Sequence, residues 1–209
     1  MGHEAYTGNG QAAGAVDGRD RKWGTSPFII AAMQRVPPAE FGPALKDRLE
    51  ELWGKPPNLY RALGNHPALL AAWAEFSKVL RHDTRTPRAL RELVILRGAQ
   101  VTRSEYEWAS HLPMARKSGV REAQIAALAG WRSSSEFDAR EKAALELCEA
   151  VTEGEVSDEV YARVSKHFDH GEYVEISMVA AFYAMVARML NAMRVEIDPE
   201  KRNYSPGLP

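Results

Sequence analysis

Between Pro67 and Val195 the apolar residues recur at helical offsets, and no run alternates with period two for long enough to make a strand. That pattern confines the chain to an all-α fold. Each periodic segment also carries its own start and stop. Pro67 opens a helix whose Leu69, Leu70, Trp73, Phe76, Val79 and Leu80 share one side through Arg81. Thr86 and Pro87 read as N-cap and first-turn proline of a helix to about Val101, with apolar residues on every side, so this helix is expected to be central. Ser104 and Glu107 match a capping box for a helix to Ser118 that Gly119 ends. A short helix, Arg121 to Leu128, follows. Asp138 and Glu141 cap a helix to about Glu153, and Ser157 caps a further short one. The final helix, roughly Glu172 to Val195, is apolar over most of its circumference.

Upstream of Pro67 the pattern weakens. Residues 1–26 are rich in Gly, Asn, Asp and Ala without any period, and read as a flexible N-terminal arm. Ala39 to Trp53 forms a short amphipathic segment that Gly54, Pro56 and Pro57 close. The expected organisation is therefore the arm, a single helical domain over 27–198 and a C-terminal tail over 199–209.

A chain of 209 residues with 45% hydrophobic side chains can bury one full core. Its 27 basic and 28 acidic residues leave a net charge of −1, which gives no pull toward nucleic acid or anionic membranes. Ile176 to Ala187 carries no charge but is too short to span a bilayer, so it reads as a buried core helix. No secretory signal is visible, and a cytoplasmic location is expected. A single cysteine, Cys148, excludes an intramolecular disulfide or a CxxC pair. Among Leu145, Leu147 and Val151 it reads as a small core residue rather than a nucleophile.

Three residues stand out as chemistry. Glu92 has Ala89, Ile95, Leu96 and Ala99 as its neighbours on the helix surface, so burial is expected to raise its pKa and suit it to proton transfer; the alternative is an ion pair with Arg88, Arg91 or an arginine of another helix. Glu107 and His111 stand four apart on one face, where the carboxylate would favour the imidazolium and orient it. The alternative for Glu107 is to serve the capping box of Ser104. Tyr106 and Trp108 either line a pocket for a planar ligand or fill the core. One Glu-x-x-x-His plus Glu92 lacks the further ligand that a zinc site needs, so no metal is expected. His66, His82, His167 and His170 are explained as turn, cap or helix-end residues.

The segment Arg91-Glu92-Leu-Val-Ile-Leu-Arg, then Ser104-Glu-Tyr106-Glu107-Trp108-Ala-Ser-His111, with Ala115 and Gly119, resembles the core of the carboxymuconolactone decarboxylase-like superfamily, which includes the alkylhydroperoxidase D proteins. His66-Pro67-Ala-Leu-Leu and Phe182-Tyr183-Ala-Met-Val-Ala-Arg188 extend the likeness over roughly 37–195. In the peroxidase branch the motif is Cys-x-x-Cys-x-x-x-His after an upstream glutamate that relays protons. Here His111 matches the histidine and Glu92 the glutamate, while Ser104 and Glu107 occupy the cysteine positions, so the thiol chemistry is missing. The resemblance implies a helical homo-oligomer, a trimer or hexamer, with two central helices carrying the site. It also implies a cofactor-independent lyase or isomerase acting on a small unsaturated, carboxylated or phenolic molecule. His111 would be general acid/base, Glu92 its proton partner and Glu107 the group that tunes it, with Tyr106, Trp108 and Ser104 contacting substrate. The alternatives are a non-catalytic helical oligomer that binds a small molecule or a protein, and residual alkylhydroperoxidase activity.

Overall fold

The computed structural model describes residues 34–208, and every described element is helical. In chain order these are α1 (Pro43–Trp53), α2 (Asn58–Leu63), α3 (Pro67–His82), α4 (Arg88–Thr102), α5 (Glu105–Lys117), α6 (Glu122–Ala127), a 3-10 turn (Leu128–Gly130), α7 (Ala139–Glu153), α8 (Asp158–Val164) and α9 (His170–Met193), followed by a C-terminal 3-10 segment, Pro199–Gly207. The arm assigned to residues 1–26, and residues 27–33 of the expected domain, lie outside the described residues.

Helix α4 is the axle of the fold, packed against α5, α7 and α9. Its apolar circumference demands this: Leu90, Leu93, Val94, Ile95, Leu96 and Ala99 are all buried, and each large side chain so buried contributes about 1.5–3 kcal/mol. One core cluster joins Val94 and Ile95 to Leu147 of α7 and to Ile176, Val179 and Val186 of α9. A second joins Leu93 and Leu96 to Trp108 and Leu112 of α5 and to Leu128, Trp131 and Leu145. A smaller third cluster, with Leu49, Tyr60, Leu70 and Ala74, ties α1 and α2 to α3. By length and apolarity alone α9 could cross a membrane, but half of its most apolar window is buried within the bundle, as a core helix requires.

The junction from α4 to α5 is tight. Arg103 takes the left-handed conformation (φ 54°), so that the Ser104 amide donates to the Ala99 carbonyl at 2.9 Å and the Ser104 hydroxyl accepts from the Glu107 amide at 3.4 Å. Two residues thus reverse the chain and lay α5 along α4.

Several boundaries differ from expectation. Helix α4 starts one residue late, with Pro87 as its cap. The Thr86 hydroxyl is bonded to Glu175 of α9 instead, and the Thr86 amide donates to the same carboxylate at 3.0 Å. Helix α1 starts at Pro43 rather than Ala39, and α2, six residues long, has too few turns to show a period. Residues 199–207 are not a loose tail: they form the 3-10 segment, which packs along α5, with Tyr204 and Leu208 against the second cluster.

Candidate functional site

Glu92 faces α5 from the middle of α4 and is fully buried. One carboxylate oxygen is paired with the Arg88 guanidinium one turn back, and the other accepts from His111 Nδ1 at 2.9 Å. An ionised carboxylate can only accept, so Nδ1 carries the hydrogen and Nε2 keeps its lone pair. Burial opposes the charge on Glu92, but His111 and Arg88 together outweigh it and hold its pKa below the usual carboxylate range. This corrects the expectation of a raised pKa. The neighbours on α4 are apolar as expected, but the partners come from α5 and from Arg88, which is only one of the candidate arginines. Arg91 turns away, to the Thr86 carbonyl and to Glu175 at 3.7 Å.

His111 is also buried, and burial, aided by Arg81 and Arg88, lowers its pKa despite the adjacent Glu92. The expectation that Glu107 would favour the imidazolium is thereby corrected: the anion acting on the ring is Glu92, and desolvation with two guanidinium groups outweighs it. Tyr183 of α9 meets the imidazole edge-on, with ring centroids 4.7 Å apart.

Glu107 lies on the other side of the ring, its Oε2 3.7 Å from His111 Nε2. Ser104 caps α5, but the Glu107 side chain does not return to the Ser104 amide, which is used by Ala99; the capping box is half formed. Freed from that duty, Glu107 is buried with Oε2 lacking any hydrogen-bond partner. Burial raises its pKa to about 8, even against the cations Arg81 and Lys201, so it is a neutral acid at pH 7.

Glu107 and His111 open onto a cavity of about 400 Å³. Its apolar walls include Tyr60, Trp73, Phe182 and Tyr183, while Arg81, Lys201 and Ser110 supply polar groups. Of the expected substrate contacts, Tyr106 lines this cavity, but its hydroxyl is occupied, donating to Asp198 Oδ2 at 2.8 Å and accepting from the Leu59 amide at 3.3 Å. Trp108 does not line the cavity; it faces the second core cluster, because its position on α5 is turned toward α4 and α7. Ser104, the N-cap of α5, borders a separate cleft with Arg103 and Asn191. Arg81, Tyr60 and Lys201 are not legible in the sequence as site residues. Arg81 looks like an ordinary basic helix end, Tyr60 lies on the short α2, and Lys201 falls beyond the last periodic segment. Cys148 is far from redox duty: fully buried, it donates to the Val94 carbonyl at 3.1 Å, and burial pushes its pKa up to about 12. Among the described residues no three His, Cys, Asp or Glu side chains are grouped as metal ligands.

Residues 67–150 match the carboxymuconolactone decarboxylase family. The uncharacterized protein YdfG of Bacillus subtilis (strain 168) is 36% identical over 95 residues, 44% of this chain and 65% of YdfG, so the chain spans just under two thirds of that relative. The uncharacterized protein YnjA of Escherichia coli (strain K12) is 28% identical over 159 residues, covering 72% of this chain and 82% of YnjA. Among solved structures, a variant of the debrominase Bmp8 in complex with 2,3,4-tribromopyrrole superposes with a TM-score of 0.74 at 18% identity, over 85% of this chain and 99% of Bmp8. An uncharacterized peroxidase-related protein with an alkylhydroperoxidase AhpD core, from Ralstonia eutropha JMP134, gives 0.70 at 18% identity, over 82% and 96%. At these identities the structures share the fold.

Proposed function

We propose, from the match of residues 67–150 to the carboxymuconolactone decarboxylase family and from the geometry of the site, that the chain is a cofactor-independent lyase or isomerase that moves protons on a small unsaturated acid or phenol. The observation that carries this reading is the row Arg88, Glu92, His111, Glu107, which ends at the cavity with a neutral imidazole and a neutral carboxylic acid. A base and an acid side by side is what proton transfer requires at neutral pH. His111 Nε2 takes a proton from an acidic C–H, and the ionised Glu92 stabilises the imidazolium formed. The electron pair left on carbon delocalises into the conjugated carbonyl. In an isomerisation Glu107 then gives its proton to the far end of the conjugated system, and return of the proton from His111 to Glu107 resets the site. In a decarboxylation no C–H proton is taken: the electron pair left on carbon when CO2 departs accepts the Glu107 proton, and a proton from solvent restores Glu107. From the fold-level likeness to Bmp8 we extend only the size and planarity of the ligand. A cytoplasmic setting suits this chemistry, since nothing in it uses a disulfide.

The binding-only alternative is favoured by one observation, the Arg88 pair that ties up Glu92. It is opposed by another, since His111 lines a cavity rather than being sealed in the core. Deuterium incorporation in D2O, followed by proton NMR over a panel of small unsaturated lactone acids and phenolic acids, decides between them. The wild type is expected to label at least one of them and His111→Ala to label it about 10²–10⁴ times more slowly. Equal labelling by the two proteins, or none with any compound, sinks the catalytic reading in favour of binding alone.

A further inference from the structure

Two cations far apart in sequence meet in this cavity. Arg81 comes from the last turn of α3 and Lys201 from the start of the C-terminal segment, and both act by their charge on Glu107, so all three look into one volume. Lys201 has capacity to spare. Its carboxylate neighbour, Asp198, stands 3.6 Å from Nζ, beyond hydrogen-bond range. Asp198 is already bonded to the Tyr106 hydroxyl and the Asn58 amide, each at 2.8 Å. An ammonium group carries three donors, and this one is left with donors to offer. On the open side, exposed Lys55 and Glu200 stand 3.9 Å apart and largely offset one another, so the positive charge lies within the cavity rather than at its rim.

A second observation points to a ligand at the same place. Glu107 Oε2 and Ser110 Oγ line the cavity, are more than nine-tenths buried and have no hydrogen-bond partner. Buried polar atoms of this kind are normally satisfied, so a bound molecule that brings acceptors and donors would complete them. The walls to either side are aromatic, with Trp73 and Phe182 at 4.7 Å between centroids, and favour a flat partner.

We propose that the cavity holds the carboxylate of a small planar acid between Arg81 and Lys201, and that Lys201 sets the preference for an acid over its neutral amide. The inference rests on the site described above for its location, but not on turnover. It narrows the substrate class from acids or phenols to carboxylates, and it gives the C-terminal segment a role in specificity.

Titration calorimetry of the full chain with trans-cinnamate and with cinnamamide, which differ in charge but hardly in shape, provides the test. The acid is expected to bind at least about tenfold tighter than the amide, as charge-assisted hydrogen bonds imply. Lys201→Met and Lys201→Gln should each remove most of that preference without weakening the amide, and Lys201→Arg should restore it, with circular dichroism checking the fold of each. Equal affinity for acid and amide, a preference untouched by both Lys201 variants, equal weakening of both ligands, or binding of neither at millimolar concentration overturns the proposal. The acid/base reading fails separately. A protein that prefers cinnamate but labels no compound with deuterium keeps the anion site and loses the catalysis, whereas one that labels compounds and shows no preference does the reverse.

Discussion

Glu107 Oε2 stands 3.7 Å from His111 Nε2, beside the ring and too far to hydrogen-bond. Burial, with Oε2 left unbonded, holds this carboxyl in its neutral form, and this has a measurable cost. The folded pKa lies near 8 and the unfolded near 4.5, so between these values the folded protein binds the extra proton. Stability must therefore fall as pH rises through that window, by on the order of 4 kcal/mol if Glu107 acted alone. Glu107→Gln removes the titration. Chemical unfolding at pH 5 and at pH 8 should show the variant gaining on wild type by several kcal/mol at the higher pH. A constant difference between the two proteins would mean that Glu107 ionises normally.

For Glu92 the sign is opposite. Its folded pKa is depressed, so its contribution is present above the ordinary value of 4.5 and is lost as pH falls through the lower folded value. Glu92→Gln leaves Arg88 facing an uncharged amide, and removing one member of a buried pair costs about 3 kcal/mol. Arg88 retains 30% exposure, which softens the penalty. In a double-mutant cycle with Arg88→Met the two changes should be non-additive by about 1 kcal/mol or more. Simple additivity would show that Arg88 contributes nothing to holding the carboxylate.

Cys148 offers a direct check on the family's thiol chemistry. With its pKa near 12 and no exposed surface, the native thiol should not react with Ellman's reagent within hours, and one equivalent should react on unfolding. Cys148→Ala is expected to cost about 1–2 kcal/mol through the small void it leaves, and to leave deuterium labelling unchanged. Rapid native labelling, or activity lost with the cysteine, would reinstate a redox role.

How much of this is legible in the sequence depends on the periodicity of each segment. Helix α4 announces itself because its apolar residues surround it, and α5 and α7 because their caps are written in Ser104 and Asp138. Glu107 and His111 share a helix, so their proximity follows from spacing alone. The Glu92–His111 bond does not, since it depends on how α4 and α5 are set side by side by the Arg103–Ser104 junction; only the family likeness suggests it. Arg81 and Lys201 are hidden for a different reason. A cation aimed into a cavity and one aimed into water have the same letter and the same neighbours, and a short 3-10 segment has too few turns to reveal which face it buries. The direction of the pKa shifts escapes the sequence for the same cause, because Arg88 and Arg81 reach the site through three-dimensional packing.

Tyr106 tests whether the C-terminal segment is held as the site requires. Its hydroxyl joins α5 to Asp198 and to the Leu59 amide, linking three parts of the chain distant in sequence. Tyr106→Phe leaves that amide without its acceptor and removes a donor from a buried carboxylate, a loss of about 1–3 kcal/mol. If the hydroxyl serves the fold, the variant should unfold at lower denaturant and become open to proteolysis around residues 199–207, and cinnamate should weaken more than cinnamamide because Lys201 follows Asp198. If the hydroxyl instead contacts ligand, stability should stay level while both ligands weaken together. The occupied geometry of the hydroxyl predicts the first outcome.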